Sequence, residues 1–125
     1  MTDKILDYSN ISFGESPNKA FVLIHGWQGN KDSFKSIPGL IGIENSMWYL
    51  PEAPYMVDNN SDKKTWTFKK SDGTFEINEP KKLFLNFLND IVFKNFESKD
   101  VYVMGFSQGA AVCYEMILSL DCAFG

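Results

Sequence analysis

A chain of 125 residues, 44% of them hydrophobic and 15% aromatic, is one domain's worth and can bury a substantial core. Charged residues make up 22% and the formal net charge is −4; Lys63-Lys64 and Lys69-Lys70 are isolated pairs rather than a basic run, which argues against a nucleic-acid groove. No stretch approaches the length of a membrane span, and Met1-Thr2-Asp3-Lys4 does not lead into an apolar core, so a cytoplasmic location is expected.

In chain order, Ile5, Tyr8, Ile11 and Phe13 alternate roughly and predict an opening strand or strand pair before a turn over residues 14–18. Ala20-Phe21-Val22-Leu23-Ile24 is apolar throughout, as in a strand buried on both faces, and runs into His25-Gly26-Trp27-Gln28-Gly29-Asn30. A short helix is expected from about Lys31 to Ser36, stopped by Pro38 and Gly39. Met47-Trp48-Tyr49-Leu50 reads as a third strand, closed by Pro51-Glu52-Ala53-Pro54. Residues 57–73 turn polar and loop-like, interrupted by Thr65-Trp66-Thr67-Phe68, with Asp72-Gly73 as a hairpin turn. Asn78-Glu79-Pro80 opens a helix with Phe84, Phe87, Leu88 and Ile91 on its apolar face, lasting to about Lys94. Val101 to Phe106 is a further buried strand, and Gly109, Cys113, Met116, Ile117 and Leu120 mark one face of a closing helix.

Strands alternating with helices predict a single domain over 1–125: an open, mostly parallel α/β sheet with flanking helices, whose ligands bind beyond the carboxyl ends of the strands. Cys113 and Cys122 read as inert thiols rather than a disulfide. One histidine, no Gly-x-x-x-x-Gly-Lys run and no ligand cluster leave metal and nucleotide sites without support, and no metal or other cofactor is expected.

Chemistry enters at Gly105-Phe106-Ser107-Gln108-Gly109, where a strand pattern gives way to a helix pattern. A turn that passes directly from strand to helix crowds the positions two residues either side of its apex, and glycine fits them. The spacing is G-x-S-x-G, a nucleophile elbow, with Ser107 at a helix N-terminus where backbone N–H groups favour developing negative charge.

His25-Gly26-Trp27 after one core strand, Leu50-Pro51-Glu52-Ala53-Pro54 after the next, Trp66, and Gly105-Phe106-Ser107-Gln108-Gly109 after a third resemble, in that order, the phospholipase/carboxylesterase branch of the α/β-hydrolases, which includes acyl-protein thioesterases. The resemblance spans roughly residues 20 to 120. It implies hydrolysis of carboxylic esters or thioesters through an acyl-enzyme, with Ser107 as nucleophile and the backbone N–H groups of Trp27 and Gln108 as the oxyanion hole; His25 and Gly26 shape the oxyanion loop. Trp66, Phe68 and Phe75 either contribute to an acyl pocket or belong to a surface hairpin packed on the body.

The pattern breaks after the nucleophile. In this fold the acid and then the histidine follow the serine, yet His25 is the chain's single histidine and precedes it. His25 is a weak candidate for the base; Asp121 lies at the far end of the closing helix, and Glu115 reads as solvated. The chain therefore reads as the N-terminal portion of a hydrolase, ending after the nucleophile helix and inactive alone; the missing part is either a complementary C-terminal chain, lost by truncation, or absent altogether. The alternative is a noncatalytic relic that binds or self-associates through an unfinished sheet edge.

Overall fold

The computed structural model describes residues 5–117. Strand β1, Tyr8–Phe13, is followed by β2, Lys19–Ile24, a short helix α1, Ile37–Ile41, and β3, Ser46–Pro51. A hairpin of β4, Tyr55–Val57, and β5, Asn60–Thr65, precedes α2, Asn78–Phe87; β6, Val101–Gly105, and α3, Gln108–Ile117, close the described chain. The main sheet has the order β1-β3-β2-β6, with β1 antiparallel to β3 and the other neighbours parallel. The expected α/β class and mostly parallel sheet are what the structure has. Expectations that fall on residues 1–4 and 118–125, including Asp121, Cys122 and the end of the closing helix, lie outside the described residues, as does the Cys113 side chain.

Alternation along the strands divides the core into two faces. Ala20, Val22 and Ile24 of β2 and Tyr49 of β3 pack beneath α2 through Leu83, Phe84 and Phe87. The opposite residues, Phe21, Leu23, Trp48 and Leu50, meet Phe34, Ile37 and Ile43 around α1. Because both faces are covered, β2 needs apolar side chains from Ala20 to Ile24, the reason for that uninterrupted run.

Four expectations change. The helix is not at 31–36, which forms turns, but at Ile37–Ile41. Side chains compete for the backbone there: Asp32 N–H donates to Asn30 Oδ1 at 2.8 Å and Asn30 N–H to Ser33 Oγ at 2.8 Å. Pro38 begins rather than stops the helix, since a first-turn residue needs no N–H partner, and Gly42 ends it at φ 68°. Residues 55–65 are a hairpin, not a loop; Asp58 and Asn59, at φ 49° and 58°, make the two-residue turn that matches strand twist.

The α-helical part of residues 78–94 ends at Phe87 and widens over Leu88–Val92, where Phe93 N–H donates to Leu88 O at 2.7 Å, keeping Leu88 and Val92 both fully buried. Finally, β6 is not buried on both faces. Among the described residues it pairs on one side only, and its Tyr102 is 39% exposed, stacked on Phe21.

Candidate active site

β2 and β6 run parallel in adjacent positions, so their carboxyl ends deliver residues 25–29 and 105–109 to the same edge of the sheet. At the end of β6 the chain turns sharply: Phe106 N–H still donates to Ile24 O at 3.1 Å, as in the ladder, while Ala110 N–H already donates to Ser107 O at 3.0 Å, as in a helix. Between them Ser107 takes φ 55°, a left-handed conformation that L-residues adopt at a cost. Its side chain is exposed at the start of α3.

The two glycines are required by contact. A Cβ on Gly105 would lie 2.6 Å from Gly109 O and 2.7 Å from Ala110 Cα; one on Gly109 would lie 2.5 Å from His25 O and 2.6 Å from Ile24 O. A Cβ on Gly26 would sit 3.4 Å from Ser107 Cβ, which places the His25-Gly26-Trp27 loop directly against the elbow. Among the described residues no backbone carbonyl accepts from the N–H of Trp27 or of Gln108.

The strained serine makes an expected result that inverts the usual order of helix propensities. Ser107→Gly should be more stable than Ser107→Ala by about 1 kcal/mol, because glycine adopts positive φ freely and alanine does not. Paired urea titrations of the two variants measure the difference.

His25 is 2% exposed and fully engaged. Its Nε2 accepts from Ala53 N–H at 3.0 Å, so the proton is on Nδ1, which donates to Gly26 O at 2.6 Å. Burial holds its pKa below the usual value, with the Gly26 carbonyl and Glu52 acting in the opposite direction. A neutral imidazole with both nitrogens occupied shapes the loop; it does not face Ser107 as a base. Its folded pKa is depressed below the unfolded one, so the unfolded chain binds the proton more readily. Stability should therefore be level above about pH 6.5 and fall as the pH drops below it. In denaturant melts at pH 7.5 and 5.5, His25→Gln should lose part of that fall.

Residues that sequence reasoning passed over hold the two loops in place. The end of β5 reaches both: Gln28 N–H donates to Lys64 O at 2.8 Å and Lys64 N–H to Gly29 O at 2.9 Å. On the elbow side, Gln108 Oε1 accepts from Trp66 N–H at 3.1 Å and Gln108 Nε2 donates to Thr65 Oγ1 at 3.0 Å. Lys64 and Glu52, both largely buried, lie 3.8 Å apart beneath this clamp. No local pattern marks Lys64 or Thr65, because their role depends on where the hairpin lands.

Trp66 is not a pocket residue. It is completely buried, packed against His25 and Phe84, and its Nε1 donates to His25 O at 2.8 Å, so it supports the loop from below. Phe68 and Phe75 do line a cavity of about 430 Å³, together with Trp27, Gln108, Asp58 and Lys69. Glu115 is exposed, as expected of it, and borders a smaller cavity beside α3. Among the described residues no group of three or more His, Cys, Asp or Glu side chains is placed to hold a metal ion, and no helix is long and apolar enough to cross a membrane.

No protein-family model matches the sequence, and no curated protein matches it. Among solved structures, the chain is similar to the crystal structure of esterase PE8, with a TM-score of 0.78 and 20% sequence identity over 94% of this chain and 59% of that one. At that identity the likeness is one of fold: an α/β architecture shared with an esterase. The chain spans 59% of the length of that neighbour.

Proposed function

We propose that this chain carries the nucleophile portion of a serine hydrolase that cleaves carboxylic esters or thioesters through an acyl-enzyme. The observation that supports it most is Ser107 at positive φ between a strand and a helix, exposed, with the Gly26 loop in contact behind it. In the proposed reaction the Ser107 hydroxyl oxygen attacks the acyl carbon, a histidine base takes its proton, and the resulting oxyanion is received by the N–H groups of Trp27 and Gln108. Collapse breaks the bond to the alcohol or thiol, which leaves with the proton, and water then releases the acid. His25 is occupied on both nitrogens and is the chain's single histidine, so the base of this proposed reaction is not among these residues.

The phospholipase and acyl-protein thioesterase subfamily is the finer part of this proposal, resting on the Gly105–Gly109 motif and the order of the loops. A fluorophosphonate probe tests the core of it. Labelling at Ser107 that disappears in Ser107→Ala, on this chain or on this chain mixed with a C-terminal hydrolase half, is the expected result. A serine inert in both settings would leave a hydrolase-like binding module instead.

A further inference from the structure

A second cavity adjoins the chamber that contains Trp27 and Gln108. It measures about 160 Å³ and shares Thr67 and Gln108 with the larger one, so the two meet at those residues. Its walls are mostly apolar: Ile77 and Pro80 from the entry to α2 face Ala111 of α3. Gln108, Ala111 and Glu115 follow at spacings of three and four, which puts them along one face of α3, and the helix rises about 10 Å between the first and the last. Lys81 and Glu115 close the far end with charge. The cavity is therefore a short apolar groove that starts at the residue after the candidate nucleophile.

We propose that this groove binds the acyl chain of the substrate, and that its charged end selects chains of medium length. The assignment rests on the reading of Ser107 as nucleophile, since it takes the acyl carbon to lie at Ser107. With the carbonyl oxygen directed at the Trp27 and Gln108 amides, the alkyl tail leaves along α3 past Ala111. The leaving group departs into the wider chamber, where Asp58 and Lys69 suit a hydrated alcohol or thiol. A tail that fills the groove gains with each methylene. One that outruns it must pass Lys81 and Glu115 into water and gains nothing further.

The test uses the Ser107→Ala protein, so that binding is read without chemistry. Calorimetry or NMR titration with butyrate, hexanoate, octanoate and decanoate should show affinity rising about fourfold per added methylene and levelling by octanoate. Ile77→Glu places a charge in the wall at a position already 48% exposed, where folding is not at stake, and should weaken octanoate at least about tenfold. Ala111→Phe should do the same by filling the groove, while Phe75→Ser in the larger chamber leaves octanoate unchanged. No binding, no dependence on chain length, a rise that continues through decanoate, or octanoate binding indifferent to Ile77→Glu would overturn the proposal. An intact ladder in a protein whose Ser107 resists fluorophosphonate would keep the groove and remove the nucleophile; labelling with no ladder would do the reverse.

Discussion

Gly109→Ala should destabilise the protein by about 2 kcal/mol or more, although the same change in an unobstructed helix stabilises by up to about 1 kcal/mol. The two effects compete at one atom. Gly109 lies in the first turn of α3, where alanine is the better helix former, but the new methyl would meet the carbonyl oxygens of His25 and Ile24 at 2.5 and 2.6 Å. Those oxygens belong to backbone at the end of a buried central strand, and neither can rotate away as a side-chain tip would. Relief requires α3 to move off β2, which loosens the elbow and carries the Gln108 amide with it. Gly39 supplies the contrast: it sits within α1, nothing lies within 4 Å of a Cβ built there, and Gly39→Ala should stabilise by about 0.5–1 kcal/mol. Urea midpoints of the two variants against the parent decide the matter, and equal shifts would show that contact at Gly109 is not what demands glycine.

Trp66→Ala should cost about 3–5 kcal/mol, a large part of the stability of a domain this size. The ring is fully buried between His25 and Phe84, so truncation opens a cavity and also leaves His25 O without its indole donor. Trp66→Phe separates the contributions. It keeps most of the packing and removes the hydrogen bond to the loop that carries Trp27, so its stability loss should be nearer 1–2 kcal/mol. If Ser107 labels as proposed, Trp66→Phe should slow that labelling about tenfold through misplacement of the loop. Thermal melts and labelling time courses read the two effects independently. A Trp66→Phe variant that labels at the parental rate would mean the loop holds its geometry through the Lys64 and Ala53 contacts alone.

Much of this molecule was legible in the chain itself, because its determinants are local. The unbroken apolar run of β2 reports burial on two faces, and Gly105-x-Ser107-x-Gly109 reports a turn too tight for side chains at its flanks. Neither depends on knowing what lies opposite. Pro38 and the Asn30–Ser33 stretch were misread for a local reason too: a proline that opens a helix and one that ends it look alike until the backbone hydrogen bonds are known. The Asp58-Asn59 turn was within reach of pattern, yet the polar run around it disguised two strands whose faces are mostly exposed.

What only the tertiary structure decided is how loops far apart in sequence share one edge. The parallel pairing of β2 with β6 brings Gly26 against Ser107, and the hairpin end at Lys64, Thr65 and Trp66 then grips both loops, turning Trp66 inward as a support rather than outward as a pocket wall. Hydrogen bonds between residues 41 to 43 positions apart follow from no periodicity. They exist because packing α2 and α3 on the same sheet leaves one place for the hairpin, and buried polar groups there must find partners.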